Sequence, residues 1–444
     1  MTLNDLTLIK SIIDLKKNEQ KSITEISNIR EQKFRKLLKY AYNNSAFYND
    51  LYTKARIKLS DLTDIPIDNL PTIDKNIVIN NLKQIITSKE VKADEVLSFA
   101  YENRNPDTLY RNKYQVVHSS GSSGTSSVTV YSQKEMAVAY SLTMRMISPQ
   151  KGRFYKTAYY AGVDGRFAGA SFAMQGDRSY FKKYSDSRYF DINAPIDKTI
   201  EELNNYQPDI LSGYGMGITM LAKNQEKGRL GIKPEMIIIG GEAVSPADLE
   251  TIKNAFNAPV NDLYGASECC CLGIGKEEYG GIYLMDDFNY IEIKEDHILV
   301  TNLFNYTQPV IRYRIDDVLT LKPDIKKLLP FRLIDRIVGR DEMLIWFRNE
   351  KGVLDYIHPI VFTSLCIKGI DKFQIILSSG NSFEFLAVPA GSPGESAVIG
   401  EVRSRLDEIL KRKGMTNVTY KIRMADHPLI DKKTRKFKII VSPG

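Results

Sequence analysis

Apolar positions near the start of the chain recur three and four residues apart. Phe34, Leu37, Leu38 and Ala41 fall on one stripe, and Tyr48 and Tyr52 continue it. That is the helical period, so residues 1–55 read as amphipathic helices whose apolar side packs on the rest of the molecule. Pro66 and Pro71 interrupt, after which 73–88 resumes the helical pattern.

The texture changes at Tyr114. A short apolar run, 114–118, meets nine consecutive Ser, Gly and Thr residues (119–127), and the β-branched run 128–131 follows, which predicts strand, small-residue loop and strand. Residues 134–146 read as helix. Residues 208–214 and 236–239 read as short buried strands, each running into a helix; the second helix starts at Ser245-Pro246, with Ser as N-cap and Pro in the first turn. Short apolar strands alternating with helices indicate an α/β chain with partly parallel sheets. Beyond residue 290 strands dominate: 290–293, 297–301, 310–313 and 318–322, then a turn at 336–342. The expected architecture is α/β (α+β overall). A large domain over 1–338, of mixed sheets flanked by helices, precedes a small α+β domain over 339–444, whose helix spans about 395–412.

With 444 residues, 43% of them hydrophobic, the chain has enough material for this core. Asp5, Lys10 and Asp14 do not suit a secretory leader, and no apolar run reaches membrane-spanning length; a cytoplasmic setting follows. Against 61 Lys and Arg stand 54 Asp and Glu, a net charge of +7. That is mild, and the basic groups are not interleaved with aromatics, so a non-enzymatic anion or nucleic-acid binder is the weaker alternative. Cys269, Cys270 and Cys271 are adjacent and lack the spacing that wraps a zinc ion, so they read as buried thiols.

Several segments suit nucleotide chemistry. The loop Ser119, Ser120, Gly121, Ser122, Ser123, Gly124, Thr125 offers backbone N–H groups and hydroxyls with little bulk, as polyphosphate oxygens require, although a flexible turn would look the same. Glu268, closing the run Tyr264, Gly265, Ala266, Ser267, is a single carboxylate that suits Mg²⁺ near phosphates, although an ordinary turn with a solvated Glu would look the same. In 313–317 a carboxylate is placed to accept from a ribose diol, though it equally suits a surface pair with Arg312 or Arg314. His118 abuts the loop and is either a catalytic contributor or a hydrogen-bonded structural residue.

In this order the segments resemble the adenylate-forming superfamily of acyl-CoA synthetases, nonribosomal peptide adenylation domains and luciferases. Within it they resemble the branch of phenylacetate–CoA ligases and capsular polysaccharide biosynthesis proteins. The resemblance begins with Ser45-Ala46-Phe47-Tyr48 and Leu70-Pro71-Thr72-Ile73-Asp74-Lys75 and runs nearly to the end of the chain. It implies that 119–125 binds phosphate, that Gly241 and Glu242 (after Gly240) line the adenine, and that Tyr264 to Glu268 frame the nucleotide with Glu268 on Mg²⁺. It places Asp317 at the ribose, Arg340 near ribose and phosphate, and a hinge at Asp341. The family's C-terminal lysine falls on Lys436, with Lys433 and Lys438 as alternatives and Arg435 where the family has Gly.

By position, the loop 160–167 with Tyr214, Gly215 and Ala266 would line an acyl pocket for one aromatic ring or a short to medium chain. The implied reaction is ATP- and Mg²⁺-dependent activation of a small-molecule carboxylic acid as its adenylate. The acyl group then passes to a thiol, coenzyme A first, with a carrier-protein thiol, a sugar or another amine as alternatives. Nothing in the sequence chooses between a monomer and a homodimer.

Overall fold

The computed structural model describes residues 2–441 apart from 120–126, 151, 243, 336–343, 364, 366, 368, 379, 390–394 and 430–438. Helices Leu3–Asn18, Ile23–Asn44 and Ala46–Lys54 open the chain. The second starts on a capping box, in which Ser22 Oγ accepts from Glu25 N while the Glu25 carboxylate accepts from Ser22 N. Its predicted stripe is buried, and Phe34, Leu37, Leu38, Tyr48 and Tyr52 pack with Leu303, Val310, Ile311 and Tyr313. The helix expected at 73–88 is two shorter ones, Lys75–Asn80 and Leu82–Ile85. Between them the Asn81 side chain donates to the Ile77 carbonyl, competing with the helical ladder.

Strands β1 (Tyr114–His118) and β2 (Val128–Ser132) pair antiparallel and bracket the small-residue loop. Seven strands follow: β3 (Tyr155–Ala161), β4 (Ser185–Asp191), β5 (Ile210–Tyr214), β6 (Met236–Gly240), β7 (Val260–Tyr264), β8 (Gly273–Lys276) and β9 (Gly281–Leu284). Next, β10 (Asn289–Ile293), β11 (Ile298–Asn302) and β12 (Tyr313–Ile315) form a three-stranded sheet. With β13 (Leu333–Ile334), the seven strands make an eight-stranded sheet in the order β13-β9-β8-β7-β6-β5-β3-β4. It is parallel from β4 to β7 and antiparallel beyond. Helices Ile196–Tyr206, Gly215–Glu226 and Pro246–Phe256 are the crossovers, and Ser245 caps the last as expected, accepting from Asp248 N at 3.1 Å. The fold is α/β with mixed sheets flanked by helices.

Three local expectations fail. The helix expected over 134–146 breaks at Leu142 into Gln133–Ser141 and Thr143–Ile147. The strand expected at 310–313 begins only at Tyr313, because Ile311 N and Arg312 N donate to side chains, the Tyr48 hydroxyl and Thr301 Oγ1. Residues 318–322 are not a strand: Val318 and Leu321 are exposed, and only Leu321 forms an isolated bridge, to Ile334. The turn expected at 336–342 lies outside the described residues.

After residue 343, β14 (Ile345–Arg348) and β15 (Leu354–Ile357) form a hairpin. β16 (Ile370–Leu377), β17 (Ser382–Pro389), β18 (Thr419–Met424) and β19 (Ile440–Val441) form a sheet in the order β18-β17-β16-β19. Helix Glu395–Lys413 packs on it through Val398, Val402, Leu406, Ile409 and Leu410. This C-terminal segment shares one apolar cluster with the large sheet. Polar contacts tie them together: the Tyr160 and Tyr356 hydroxyls meet at 2.7 Å, and Lys413 Nζ donates to the Ala194 carbonyl at 2.8 Å. Lys413 also pairs with Asp355 at 3.4 Å, both side chains wholly buried. Among the described residues no helix is long and apolar enough to cross a membrane.

Candidate active site

Strands β5, β6 and β7 end side by side, and their C-terminal ends deliver the predicted motifs to one place. Tyr214 ends β5, Gly240 ends β6 and Tyr264 ends β7. One cavity of about 1470 Å³ is lined by His118, Ser119, Tyr214, Gly241, Glu242, Tyr264, Gly265, Ala266, Ser267, Glu268 and Asp317, all singled out from the sequence. Gly215 is not among its lining residues; a Cβ there would lie 2.2 Å from Val244 Cγ2, so its smallness serves packing. Of the expected loop 160–167, residues 160 and 161 are the end of β3. Ser120, Gly121, Ser122, Ser123, Gly124, Thr125, Arg340, Asp341, Lys433, Lys436 and Lys438 lie outside the described residues.

Glu268 is buried, and its Oε1 accepts from both the Ser127 and Tyr313 hydroxyls at 3.0 Å. Burial, with the Glu268 carboxylate next in weight, raises the Tyr313 phenol, so Tyr313 stays a donor at neutral pH. The turn that presents Glu268 is tight. A Cβ on Gly265 would lie 2.2 Å from the Cys270 carbonyl oxygen, and Cys270 itself has φ +57°. Beside it the Tyr264 hydroxyl donates to Asp317 Oδ2 at 2.8 Å, which fixes that carboxylate at the cavity wall.

His118 is buried with both ring nitrogens engaged. Arg166 N donates to Nε2 at 3.1 Å, which puts the proton on Nδ1, facing the Ser119 carbonyl at 3.1 Å. Burial pushes its pKa down to about 4. The ring is thus a neutral brace for the start of the small-residue loop. Cys269 and Cys271 are fully buried, and burial raises all three thiols, Cys270 to about 12.

Glu242 lines the same cavity next to Gly241. It accepts from Met216 N at 3.2 Å, and His358 Nε2 approaches it at 2.7 Å, too bent for a linear hydrogen bond. His358 is fully buried, its Nδ1 accepts from Ile360 N, and its ring lies 5.5 Å from that of Tyr214. His358 was not among the site residues read from the sequence. Nor were Ser127 and Tyr313 assigned to Glu268, although both stand inside segments already marked as motifs.

No family model matches the chain. Protein CapK of Staphylococcus aureus is 25% identical over 348 residues, 74% of this chain and 71% of that protein. The phenylacetate–coenzyme A ligase of Escherichia coli K12 is 24% identical over 356 residues, 74% of each chain. The chain is a homologue of CapK and the phenylacetate–CoA ligases. A 2-hydroxyisobutyryl-CoA ligase solved with 2-HIB-AMP and CoA in the thioesterification state matches this homologue over 96% of its chain and 91% of that one, at TM-score 0.61 and 17% identity. Against the postadenylation state of the same ligase the TM-score is 0.56. The fold is that of the adenylate-forming ligases.

Mg²⁺ is implied for such a site, and the donor set can be tested against it. Among the described residues no group of three His, Cys, Asp or Glu side chains gathers. A single buried carboxylate, Glu268, faces the cavity beside Ser119. That fits an ion held mainly by a nucleotide's own phosphates with one protein carboxylate, the usual Mg²⁺ arrangement, and not a dedicated protein cage.

Proposed function

We propose that this homologue is an ATP- and Mg²⁺-dependent ligase of the cytoplasm that activates a carboxylic acid as its acyl adenylate and transfers the acyl group to a thiol, coenzyme A first. The observation that carries this reading is the meeting of Ser119, Gly241, Glu242, the 264–268 turn and Asp317 around one cavity at the strand ends.

In the first half-reaction a carboxylate oxygen attacks the α-phosphorus, and the bond from that phosphorus to the bridging oxygen breaks, releasing pyrophosphate. In the second a thiolate sulfur attacks the acyl carbon, the carbon–oxygen bond to AMP breaks, and the thiol proton leaves to solvent. A carboxylate is a weak nucleophile approaching an anion, so the protein's task is placement and cationic compensation. Asp317, fixed by Tyr264, accepts from the ribose hydroxyls. The loop after Ser119 takes the β,γ-phosphates, and His118 braces its first residue without exchanging protons. Glu268 would hold Mg²⁺, which neutralises phosphate oxygens when bound. Lys436, with Lys433 and Lys438 as alternatives, supplies the cation between the acyl carboxylate and the α-phosphate. Arg340 approaches the ribose, and Asp341 is the pivot between a large domain, 1–338, and a cap, 339–444.

Exchange of labelled pyrophosphate into ATP in the presence of a carboxylic acid is the test. Lys436→Ala should lower adenylate formation on the order of a hundredfold; full activity in that variant removes Lys436 from the chemistry. The similarity to CapK supports a second acceptor class, a carrier-protein thiol or a sugar amine. Mass spectrometry of the product formed with each acceptor separates the two.

A further inference from the structure

The cavity is larger than a nucleotide requires. At about 1470 Å³ it exceeds the ~300–1,000 Å³ of ordinary small-molecule sites, and the excess has a direction. Pairing of β3 with β4 and β5 sets Tyr159 beside Tyr189 and Ser212, and Thr157 beside Ser187 and Ile210. Side chains alternate along a strand, so these residues share one face of the sheet. The opposite face, with Ala158, Tyr160 and Leu211, is sealed at 0% exposure in the core. The Thr157–Tyr159 face instead lines the cavity, and its hydroxyl residues are only half-buried.

From Tyr155 to Tyr159 the strand advances four residues, about 13 Å at ~3.3 Å each. The cavity follows it from a far mouth toward the end where Ser119 and Glu268 stand. Helices Thr143–Ile147 and Ala168–Met174 form the other wall, with Met146 and Phe172 packed toward β5. Gly169 lets the second helix lie close, since a Cβ there would sit 2.5 Å from the Tyr159 hydroxyl. At the far end the cavity is lined by Tyr184, 37% exposed, with Phe181 and Ser185. The groove therefore has one wall of hydroxyls and one apolar wall. On the hydroxyl wall, Ser212 and Tyr189 give their protons to the Ala158 carbonyl and to Asp177, so that toward a ligand each can act only as an acceptor.

We propose that the acid is elongated and amphipathic. Its carboxylate lies at the Ser119–Glu268 end, its tail runs along the Tyr159–Thr157 row to the far mouth, and hydroxyl-type substituents on one edge meet the strand hydroxyls. The orientation rests on the adenylation reading above. A single aromatic ring or a short chain leaves most of this groove to water. A bare hydrocarbon tail desolvates the remaining strand hydroxyls, those of Thr157 and Tyr159, at roughly 1–3 kcal/mol for each one left without a partner.

The experiment measures ATP-dependent pyrophosphate release by the full chain with phenylacetate, octanoate, hexadecanoate and a mid-chain hydroxyhexadecanoate. kcat/KM should rise along that series. Thr157→Trp, and separately Ala173→Trp on the other wall, should each cost the two long acids about tenfold or more while phenylacetate changes by about twofold or less. Thermal melts identify any variant that fails to fold, in which case the other variant decides. Phenylacetate or octanoate as the best substrate overturns the elongated acid, as does an unchanged ranking in the folded plugged variants. Preference for hexadecanoate over its hydroxylated form overturns the amphipathic tail. If no acid releases pyrophosphate, the adenylation reading fails separately, and a fluorescent sixteen-carbon acid decides the groove. Saturable binding that Thr157→Trp abolishes supports it, and no binding to the native chain overturns it.

Discussion

Two of the carboxylates that line the cavity, Glu268 and Glu242, are held in opposite ways. Glu268 takes its hydrogen bonds from Ser127 and Tyr313, which the strands before residue 336 bring to it. Glu242 is met by His358, which follows β15 in the C-terminal segment. The Glu268 side is thus built by residues before 336, whereas the Glu242 side is completed by a residue of the C-terminal segment. Displacing the C-terminal segment would strip Glu242 and Tyr214 of a neighbour and leave Glu268 as it is.

The largest expected effect comes from loosening that anchor. Lys413→Met leaves Asp355 buried without its partner, which should cost about 3–5 kcal/mol, read from urea unfolding. A change under about 1 kcal/mol would show that the pair does not hold the segment. The Glu268 side has its own weak point in His118, whose pKa falls from 6.5 to about 4 on burial. The fold holds the neutral ring, so the contribution is complete above pH 6.5 and is lost as pH falls toward 4, where the unfolded chain takes up a proton that the folded one refuses. That amounts to about 3 kcal/mol. The drop in denaturation midpoint between pH 7 and 4.5 should be smaller in His118→Gln.

The smallest effects draw the contrast most sharply. His358→Ala should slow acyl transfer about tenfold and adenylate formation about twofold, the scale of one buried polar contact to a charged group. Tyr313→Phe should reverse that ratio. Equal losses in both half-reactions for both variants would erase the distinction between the two acids.

The elements around the small-residue loop and the 264–268 turn were legible because their signals are local. The Ser and Gly loop, Ser245-Pro246 and the 264–268 turn each need particular residues in a short stretch, and the strands and helix around them stand where their patterns put them. Strands β3 and β4 escaped because their tyrosines, serines and charged residues do not read as a buried sheet, and their half-open face is the one that lines the groove. His358 escaped because its partner is more than a hundred residues away and no periodicity marks that contact. Strand 318–322 was expected from β-branched and apolar residues, but edge exposure decided otherwise.

Lys413 offers one more consequence. Its amine is enclosed between the Ile192 and Ala194 carbonyls, Asp355 and the Tyr356 ring. An acylating reagent in solution would reach it only in the moments when helix Glu395–Lys413 lifts away from the sheet. The rate at which that one lysine becomes labelled would then count those openings, and a bound ligand that clamps the segment would make the clock run slow.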